Sequence, residues 1–488
     1  MSGFPLPEPL CSHERSRIFV VVAMFVAVYI PSRLFLLIHF APIGSDVDLY
    51  ARFAFIHARA QETGSPFYRL YRAEGLKDSS FANYSLRDLT DIPYPPLAIG
   101  FLAVPGRLIL RGRPPDSMGF QDFLPRYLKA YRWACLPFDS AVVLLALWLI
   151  ITLFRGERIR FTAIRSGLAS GAAALLPHLL YDRLDIVLSV LLLLSLAALL
   201  RKRWIIAFAL FAIAVNFKPL PLFLAPLWVA GSIPAAGLDG QRRRALFFKR
   251  CAVRGVLLVL MTAFVCTAAL AVEGWQGLGF LGFHGARGIH IESSWGTFSL
   301  LAASVFNLPF RIVYDFGAFN VVTSWTTFCA NAANVLLIVL TAALTIAAVL
   351  RGLSNVGTGE PDTSMISRQS LISLTAATLL LTFCTFKMFS PQFLLLLIPI
   401  ISIVTFRGPY IIVIGALLAG ACCMSTYIYP YFYEREIIMG PTPFGLFLLV
   451  TREIMLAAML CCIVTAEFRP KGGTPPRHRG FFQEKRES

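Results

Sequence analysis

The sequence predicts an all-α, polytopic membrane protein. Of its 488 residues, 57% are hydrophobic and only 15% are charged, which is far from the balance of water-soluble domains. Apolar runs of roughly 17 to 25 residues recur along nearly the whole chain, and each is long enough to cross the hydrocarbon as a helix. The runs lack the alternation of barrel strands, so the spans must be helical. We expect about 11 to 13 membrane segments, with interfacial helices in the first loop.

The expected segments follow one another with mostly short connections. They lie at residues 18–40, 95–110, 136–154, 161–180, 184–200, 204–230, 252–272, 328–350, 369–386, 391–406, 409–428 and 442–466, with a weaker stretch at 298–322. Residues 18–466 therefore form one membrane domain, between a cytoplasmic N-terminus at 1–17 and a basic, disordered cytoplasmic tail at 467–488. The first run is too long for a signal-peptide core, so we expect a retained signal anchor.

The expected order of membrane spans is irregular at two places. Basic clusters at 111–113 and 155–160 bracket one expected helix, and both cannot be cytoplasmic if that helix spans once. One nearby segment is therefore expected to be re-entrant. Farther on, Pro219 and Pro221 directly follow Lys218. Because proline removes a helix donor and clashes with the preceding turn, we expect two half-length helices that meet at Lys218.

The net charge of +17 would suit a nucleic-acid partner in a soluble protein. Here the basic residues cluster in short loops such as "RGERIR", "RKRW" and "QRRRALFFKR", as cytoplasmic loops of membrane proteins do. No basic and aromatic residues interleave in a recognition pattern, so nucleic-acid binding is not expected. The ten cysteines include no CxxC pair and no metal-ligand spacing, so they are expected to pack as small hydrophobes.

The first loop, residues 41–93, carries two carboxylates in "GSDVDLYARF". Basic "ERSRI" precedes the first span, so this loop should be extracytoplasmic. Ser45 resembles an N-cap of an amphipathic helix, whose apolar face consists of Leu49, Phe53, Ile56 and Ala60. Asp48 can close a capping box with Ser45 and pair with Arg52, whereas Asp46 has less to do structurally and is free to face a site. Both together could hold a divalent ion, but DxD alone is a weak signal.

Other polar side chains gather where apolar runs begin or end. Such groups are costly in a membrane protein and are usually retained for function. Those on the expected extracytoplasmic side include Tyr94, His178, Asp182, Arg183, Lys218, Arg287, His290, Glu292 and Lys387. The cations and histidines would form a surface able to hold phosphate. Structural alternatives are snorkelling lysines, solvated loop charges, an Asp182–Arg183 pair and Asp185 as the cap of the next helix.

Six segments in this order resemble the GT-C superfamily of polytopic glycosyltransferases. Within it they are similar to glycosyltransferase family 87, the polyprenol-phosphate-mannose-dependent mannosyltransferases. The segments are "SDVDLYARF", "PYPPLAIGFLAVP", "LYDRLDIVLSVLLLLSLAALL", "NFKPLPLFLAPLW", "RGIHIESSW" and "FSPQFLLLLIPI", spread over roughly residues 44 to 400. The loop from residue 61 to residue 91 is longer and more charged than the family pattern leads us to expect.

The resemblance implies an inverting transfer of a hexose, commonly mannose, from a polyprenyl-phosphate donor to a lipid or glycan acceptor. It implies that Asp46 is the catalytic base. It further implies that Lys218, Arg287, Glu292, Lys387 and Gln392 line the donor or acceptor site. No cofactor is expected, since the donor already carries its leaving group and no P-loop or dinucleotide fingerprint occurs. The protein would be multi-pass in the cell membrane, with its active site extracytoplasmic.

Two other classes of protein remain open from the sequence. A transporter or flippase of lipid-linked sugars should place charges near the bilayer midplane on broken helices in two related halves. Here most charges lie at span edges on one side, and no inverted repeat is evident. A structural or assembly protein would not need lysines beside apolar runs, since each costs a few kcal/mol if left unpaired in hydrocarbon.

Overall fold

The computed structural model describes residues 12–40, 45–75, 92–111, 118–234, 243–355, 366–406 and 408–469. These residues are mostly helical, so the predicted helical membrane architecture is confirmed at that level. The helices are α1 Ser12–His39, α2 Ser45–Thr63, α3 Phe67–Gly75, α4 Pro96–Ile109, α5 Phe120–Leu153, α6 Ile159–Gly171, α7 Asp185–Leu200, α8 Trp204–Phe217, α9 Leu220–Ser232, α10 Arg243–Glu273, α11 Gly279–Ala286, α12 Ser294–Val305, α13 Thr326–Asn355, α14 Arg368–Thr385, α15 Pro391–Ser402, α16 Tyr410–Phe432 and α17 Pro443–Phe468.

In the described part of the chain, six helices are long and apolar enough to cross a membrane. They are α1, α5, α10, α13, α16 and α17, and the shorter apolar helices are α4, α7, α8, α9 and α15. Helices α7 and α15 are buried along nearly their whole length, so they lie at the centre of the bundle. On α10, by contrast, Phe264 is 75% exposed and Val272 is 82% exposed. Such apolar outer faces suit a surrounding lipid bilayer.

The structure agrees with an all-α membrane protein, and the described residues add only one small antiparallel sheet between the helices. Its strands are β1 Ile289–His290, β2 Arg311–Asp315 and β3 Ala318–Val322, in the order β1-β3-β2. Phe316 and Gly317 both have positive φ and form a two-residue hairpin turn between β2 and β3. The weak membrane stretch expected at 298–322 is instead the end of α12 followed by this hairpin. The hairpin contains Arg311, Asp315 and Asn320 among its apolar residues, which is why the membrane signal of this stretch is weak.

The predicted break at Lys218 is confirmed. Helix α8 ends at Phe217, Lys218 is extended, and a 3₁₀ turn at Leu220–Leu224 begins α9. Pro219 and Pro221 stand where a continuing helix would need backbone N–H donors, which is why the helix stops here. Lys218 therefore lies at a helix end inside the bundle, with its side chain largely buried.

The helix predicted in the first loop is also confirmed. Phe53, Ile56 and Ala60 on its expected apolar face are buried. Residues beside this face are covered as well, because Gly106 of α4 packs on Ala54, and His57 pairs with Glu273 of α10 at 2.9 Å. Helix α2 is thus built into the protein rather than resting only on the membrane surface.

Helix α4 corresponds to the span expected at 95–110, and it lies beside the helices of the first loop. Its Leu102 carbonyl accepts a hydrogen bond from Tyr127 and its Gly106 contacts Phe123, both in the first third of α5. The half of α5 that packs against α1 begins only near Asp139. With 14 residues, α4 is roughly 21 Å long, shorter than the roughly 30 Å of hydrocarbon. The expected span at 95–110 is thus one of the shorter apolar helices, and the re-entrant segment expected near it stays a prediction.

A buried ion pair joins α1 to α5. The Nε of Arg33 lies 2.8 Å from Asp139 Oδ2, and the Tyr181 hydroxyl donates to the same oxygen at 2.8 Å. Arg33 also donates to Asp139 Oδ1 and to Ser32. Each charge is matched and hydrogen-bonded, as buried charges must be to be tolerated. We call this group the Arg33 clip.

Candidate functional site

The predicted catalytic carboxylate meets one of the predicted cations. Asp46 stands in the first turn of α2, where the helix dipole favours an anion. Its Oδ2 contacts the guanidinium of Arg183, and the side chains are 30% and 13% exposed. Asp46 is therefore anchored by a counter-ion yet remains accessible. Asp48, two residues farther along α2, is exposed. Partial desolvation raises the pKa of its carboxyl group above the ordinary value.

Arg183 lies in the turn that precedes α7. It hydrogen-bonds Tyr429, and the charges of Asp185 and Glu292 act on it. The neighbouring Asp182 pairs instead with Arg132 of α5, with 2.8 Å between Oδ1 and Nε. The alternative of a local Asp182–Arg183 pair is thus not what forms, because the two side chains have partners on different helices.

Lys218 and Asp185 form the next pair of the site. The Lys218 Nζ lies 2.7 Å from Asp185 Oδ1 and 4.6 Å from the centre of the Phe393 ring. Asp185 begins α7 but makes no capping bond, so the expectation that it serves as a cap is wrong. Its Oδ2 has no hydrogen-bond partner among the described residues, and neither has Oε1 of Gln392, the residue before Phe393. Polar atoms in this position can accept bonds from a ligand.

Lys387 joins the site from the turn after α14. It is 6% exposed, and its Nζ donates to the main-chain oxygens of Gly285, at 3.2 Å, and Arg287, at 2.6 Å. An ammonium has three N–H donors, so these two bonds leave one for a ligand. Burial, and next the positive charge of Arg287, lower the pKa of Lys387. Lys387 is thus a buried cation with carbonyl partners rather than a snorkelling lysine.

The loop between α11 and α12 supplies Arg287, His290 and Glu292. Arg287 lies over the Phe283 ring at 5.6 Å, and its charge acts on Lys218. His290 donates its backbone N–H to the Lys387 carbonyl at 3.0 Å. Burial, together with Arg287 and Arg452, lowers the pKa of His290 to about 3. The imidazole is therefore neutral at physiological pH and does not add positive charge.

Glu292 is buried, which corrects the alternative of a solvated loop charge. Its Oε2 lies 2.7 Å from Arg452 Nη1 in the middle of α17. Arg452 also pairs with Glu453 at 3.1 Å, and Ser294 donates to Glu453. This network fixes the β1–α12 loop to α17, so Glu292 holds the loop in position. The charge of Glu292 also acts on Arg183.

Tyr94 belongs to the site, whereas His178 stands at its margin. The Tyr94 hydroxyl is 2.9 Å from that of Tyr50, and burial, with the Asp185 charge, raises the pKa of Tyr94 to about 12. His178 is buried against Phe40 and lies 3.3 Å from the Tyr431 hydroxyl. It therefore packs beside the Arg132–Asp182 pair and not against the Lys218 group.

These contacts bring most predicted site residues into one place, which we call the cationic cluster. Its cations are Arg183, Lys218, Arg287 and Lys387, and its carboxylates are Asp46 and Asp185. Among these residues positive charge exceeds negative charge, and Glu292 is already matched by Arg452. The arrangement is suited to hold an anion such as a phosphate. No three His, Cys, Asp or Glu side chains of the described part of the chain gather as metal ligands.

An apolar groove of about 860 Å³ begins beside the cationic cluster. It runs between α8, α9, α10, α11 and α13, from Pro219 and Leu281 to Arg244 and Leu353. The lining residues of α10 extend from Arg244 to Cys266, which corresponds to roughly 33 Å, or about one hydrocarbon thickness. Its polar lining is sparse, and Asn216 is satisfied by bonds to Ala212 and Thr262. A long apolar chain would fit this groove.

Several important partners were missed in the sequence. They are Asp185 as the partner of Lys218, Arg132, Tyr50, Tyr429, and the pair Arg452–Glu453. A signal was available for the last pair, because two adjacent charges inside the apolar run 443–468 demand partners. The others were hidden, since only the fold shows which distant residues meet.

Comparison with known proteins adds no family. A scan against protein-family models and a search of curated proteins found no match for this chain. The resemblance of the six segments to the GT-C glycosyltransferases therefore stays a prediction, and the function must be argued from the site itself.

Proposed function

We propose that the protein is a membrane glycosyltransferase that uses a polyprenyl-phosphate-linked sugar. It would transfer a hexose such as mannose to a lipid or glycan acceptor. The observation that carries the proposal is the junction of three features: an accessible carboxylate at Asp46, the cationic cluster, and the apolar groove that starts at Pro219. A lipid-linked sugar phosphate has three matching parts, namely a sugar, a phosphate and a long apolar tail.

The cationic cluster supports the phosphate part. Lys387 has a donor to spare, and Lys218 is bonded to a single carboxylate oxygen, so both can turn an N–H toward a phosphate. Arg183 offers five N–H groups in a planar fork and can hold Asp46 and a phosphate oxygen together. Negative charge grows on the phosphate as the sugar leaves, and fixed cations stabilise that change.

Asp46 would be the general base. An acceptor hydroxyl attacks the anomeric carbon, and the new C–O bond forms as the bond from that carbon to the phosphate oxygen breaks. The electron pair of the broken bond stays on the polyprenyl phosphate, and the hydroxyl proton passes to the Asp46 carboxylate and then to water. One carboxylate suffices for this inverting displacement, because no covalent sugar intermediate is formed.

The lining of the groove favours tail binding over transport. A flippase needs a polar path for a sugar phosphate, and the groove offers mainly leucine, valine, alanine and phenylalanine with few polar side chains. Leu222 and Val259 line the groove and are exposed, so it is open sideways toward lipid. A polyprenyl chain could enter from the bilayer, while its phosphate stays at the cluster.

The positions of the basic loops support an extracytoplasmic site. Helix α8 runs from Arg203 at its start to Lys218 at its end, and α5 ends next to the basic segment 155–160. The cationic cluster therefore lies at the opposite end of the helices from "RGERIR" and "RKRW". Positive loops face the cytoplasm, so the cluster would face away from it.

A donor panel tests the proposal. Full-length protein in proteoliposomes is incubated with radiolabelled polyprenyl-phosphate sugars, with the corresponding nucleotide sugars, and with a membrane extract as acceptor. We expect label to move to a new product from at least one lipid-linked sugar and from no nucleotide sugar. A parallel assay measures movement of the same labelled donors across the vesicle membrane. Transbilayer movement without any transfer product would overturn the proposal and favour a flippase.

A further inference from the structure

Asp185 and Lys218 meet inside the bundle, on parts of the chain that are firmly held. Asp185 is the first residue of α7, which is buried along nearly its whole length, and Ser189 one turn on donates to the Leu395 carbonyl of α15 at 3.0 Å. Lys218 is the extended residue between α8 and α9, where Pro219 prevents the helix from continuing. The contact between the two side chains is therefore set by the packing of α7, α8 and α15.

The surroundings of the Lys218 ammonium make its positive charge depend on Asp185. The Lys218 Nζ lies 2.7 Å from Asp185 Oδ1 and 4.6 Å from the centre of the Phe393 ring. Arg183, in the turn before α7, and Arg287, in the loop before α12, add like charges. Burial lowers the pKa of Lys218, the Asp185 carboxylate opposes this shift, and the two arginines add to it. Without Asp185, burial and the two arginines would together favour the neutral amine.

We propose that Asp185 is a positioning residue: its Oδ1 keeps the Lys218 ammonium charged and in place for the phosphate of the lipid-linked donor. This inference rests on the proposed function, because it takes that phosphate to be the ligand of Lys218. An ammonium has three N–H donors, so the bond to Oδ1 leaves two for phosphate oxygens. Asp185 itself would not touch the phosphate, since the two anions repel each other.

Asp185→Asn separates the charge of Asp185 from its shape. The amide oxygen can still accept the bond from Lys218, and the amide nitrogen would replace Oδ2, which has no hydrogen-bond partner among the described residues. Only the negative charge is lost. The Lys218 ammonium should therefore lose its proton at a lower pH than in the unaltered protein, and phosphate binding should weaken as pH rises.

Binding of polyprenyl phosphate measures this effect without any need for sugar transfer. Full-length protein in detergent is titrated with radiolabelled polyprenyl phosphate at pH 7.5 and pH 9.5, and uncharged polyprenol reports binding by the tail alone. Both pH values lie above the second pKa of a phosphate monoester, about 6, so the ligand keeps its charge. From the lower to the higher pH, the Kd of Asp185→Asn should rise roughly tenfold more than that of the unaltered protein, because one charge-assisted bond is lost.

Other titratable groups near the pair do not produce this difference. Burial and the charge of Arg287 lower the pKa of His284 to about 4, and burial raises the pKa of Tyr94 to about 12. Both side chains are therefore neutral at pH 7.5 and at pH 9.5. Lys387, whose pKa burial lowers, can lose its proton in this range, but it does so in both proteins and its effect cancels in the comparison.

A double variant and a control distinguish lost charge from lost structure. Lys218→Arg, added to Asp185→Asn, supplies a guanidinium that stays protonated at pH 9.5, so the extra rise of Kd with pH should disappear. Glu157→Gln is the matched control. Glu157, in the basic loop before α6, pairs with the buried Arg165 at 3.1 Å, at the opposite end of the bundle from the cationic cluster. Its replacement should leave binding of polyprenyl phosphate unchanged at both pH values.

Three results would overturn the inference. No loss of affinity in Asp185→Asn, or a loss that is equal at both pH values, would leave Asp185 with at most a structural role and leave the proposed function standing. A pH-dependent loss that persists after Lys218→Arg is added would mean that Lys218 is not the group that titrates. Equal binding of polyprenyl phosphate and polyprenol by the unaltered protein would reject the inference and the proposed function together.

A charge-preserving variant keeps the test decisive if Asp185→Asn does not fold. Asp185→Glu retains the carboxylate, so its Kd should follow the pH dependence of the unaltered protein even if its binding is weaker overall. An extra rise of Kd with pH in Asp185→Glu would contradict the inference as well. Thermal unfolding of every variant is measured at both pH values.

Discussion

The Arg33 clip and the cationic cluster both hold charges within a largely apolar chain, but they differ in how completely the charges are bonded. In the clip, side-chain exposure is 2% for Arg33 and 1% for Asp139, and Tyr181 and Ser32 complete the bonds. In the cluster, Asp46 is 30% exposed and Asp185 keeps an oxygen without a partner in the described chain. Saturated buried charges fix helices to one another, whereas incompletely bonded charges are available to a ligand.

Replacing Asp46 should have the largest effect on the transfer rate and little effect on stability. Asp46→Asn keeps the shape of the side chain but cannot take a proton, so the transfer rate should fall roughly 10²- to 10⁴-fold. The midpoint of thermal unfolding should barely change, because a partly exposed ion pair contributes about 1 kcal/mol or less. Initial rates with a lipid-linked donor measure the first effect.

Asp122→Asn is the matched control for Asp46→Asn. Asp122 also stands in the first turn of a helix, but it is exposed on α5 away from the cluster. Its replacement should leave the transfer rate unchanged. An Asp46→Asn protein that transfers sugar at the unaltered rate would remove Asp46 from the role of base.

The Arg33 clip should respond in the opposite way. Asp139→Ala leaves Arg33 buried without its counter-ion, which costs roughly 3 to 5 kcal/mol of stability. Replacing both residues at once, as Arg33→Met with Asp139→Leu, should recover much of that loss because no unpaired charge remains. Thermal unfolding in detergent measures both variants. If the double variant is as unstable as Asp139→Ala, the clip contributes more than charge balance.

Lys387 tests whether the cations of the cationic cluster bind the donor phosphate. Lys387→Gln removes one charge-assisted bond to the donor phosphate, so KM for the donor should rise roughly tenfold or more, with a smaller change in kcat. Lys129→Gln, an exposed lysine on α5, is the control. An unchanged donor KM in Lys387→Gln would mean that this ammonium only fixes the Arg287 loop.

The smallest expected effect concerns acid stability. The pKa of His290 is lowered from 6.5 to about 3 by burial and by Arg287 and Arg452. Between these values the unfolded chain binds a proton that the folded protein does not, so stability falls as pH falls below 6.5. From pH 7 to pH 5 the unaltered protein should lose about 2 kcal/mol more than His290→Gln.

Unfolding at both pH values measures this difference, with His39→Gln, at an exposed helix end, as the control. Equal acid losses in His290→Gln and the unaltered protein would mean that His290 is already protonated when folded. His284, whose pKa burial and Arg287 lower to about 4, should behave in the same direction.

Local features were predictable from the sequence, and long-range pairings were not. The break at Lys218 followed from two prolines, and the buried face of α2 followed from helical spacing. The hairpin at β2–β3 was missed because the isoleucine, valine and phenylalanine residues of its strands continue the apolar pattern of α12. The partner of Lys218 was missed because Asp185 is 33 residues away in sequence.

The cluster itself could be anticipated only in outline. Polar residues at span edges pointed to Asp46, Arg183, Lys218, Arg287 and Lys387 as a group, and the fold brings them together. The contact between Asp46 and Arg183 could not be predicted, because it depends on where the turn before α7 places Arg183. The position of the groove could not be predicted, since its lining residues are ordinary apolar residues of five different helices.

Photo-crosslinking shows whether the groove and the cationic cluster bind a polyprenyl phosphate. A chain that carries a diazirine near its phosphate is irradiated with the full-length protein, and labelled peptides are mapped by mass spectrometry. We expect label on residues of α9, α10 and α11 that line the groove near Pro219 and Leu281, and loss of label in Lys387→Gln. Label spread evenly over the exposed faces of α1, α10 and α13, and unchanged in that variant, would contradict this expectation.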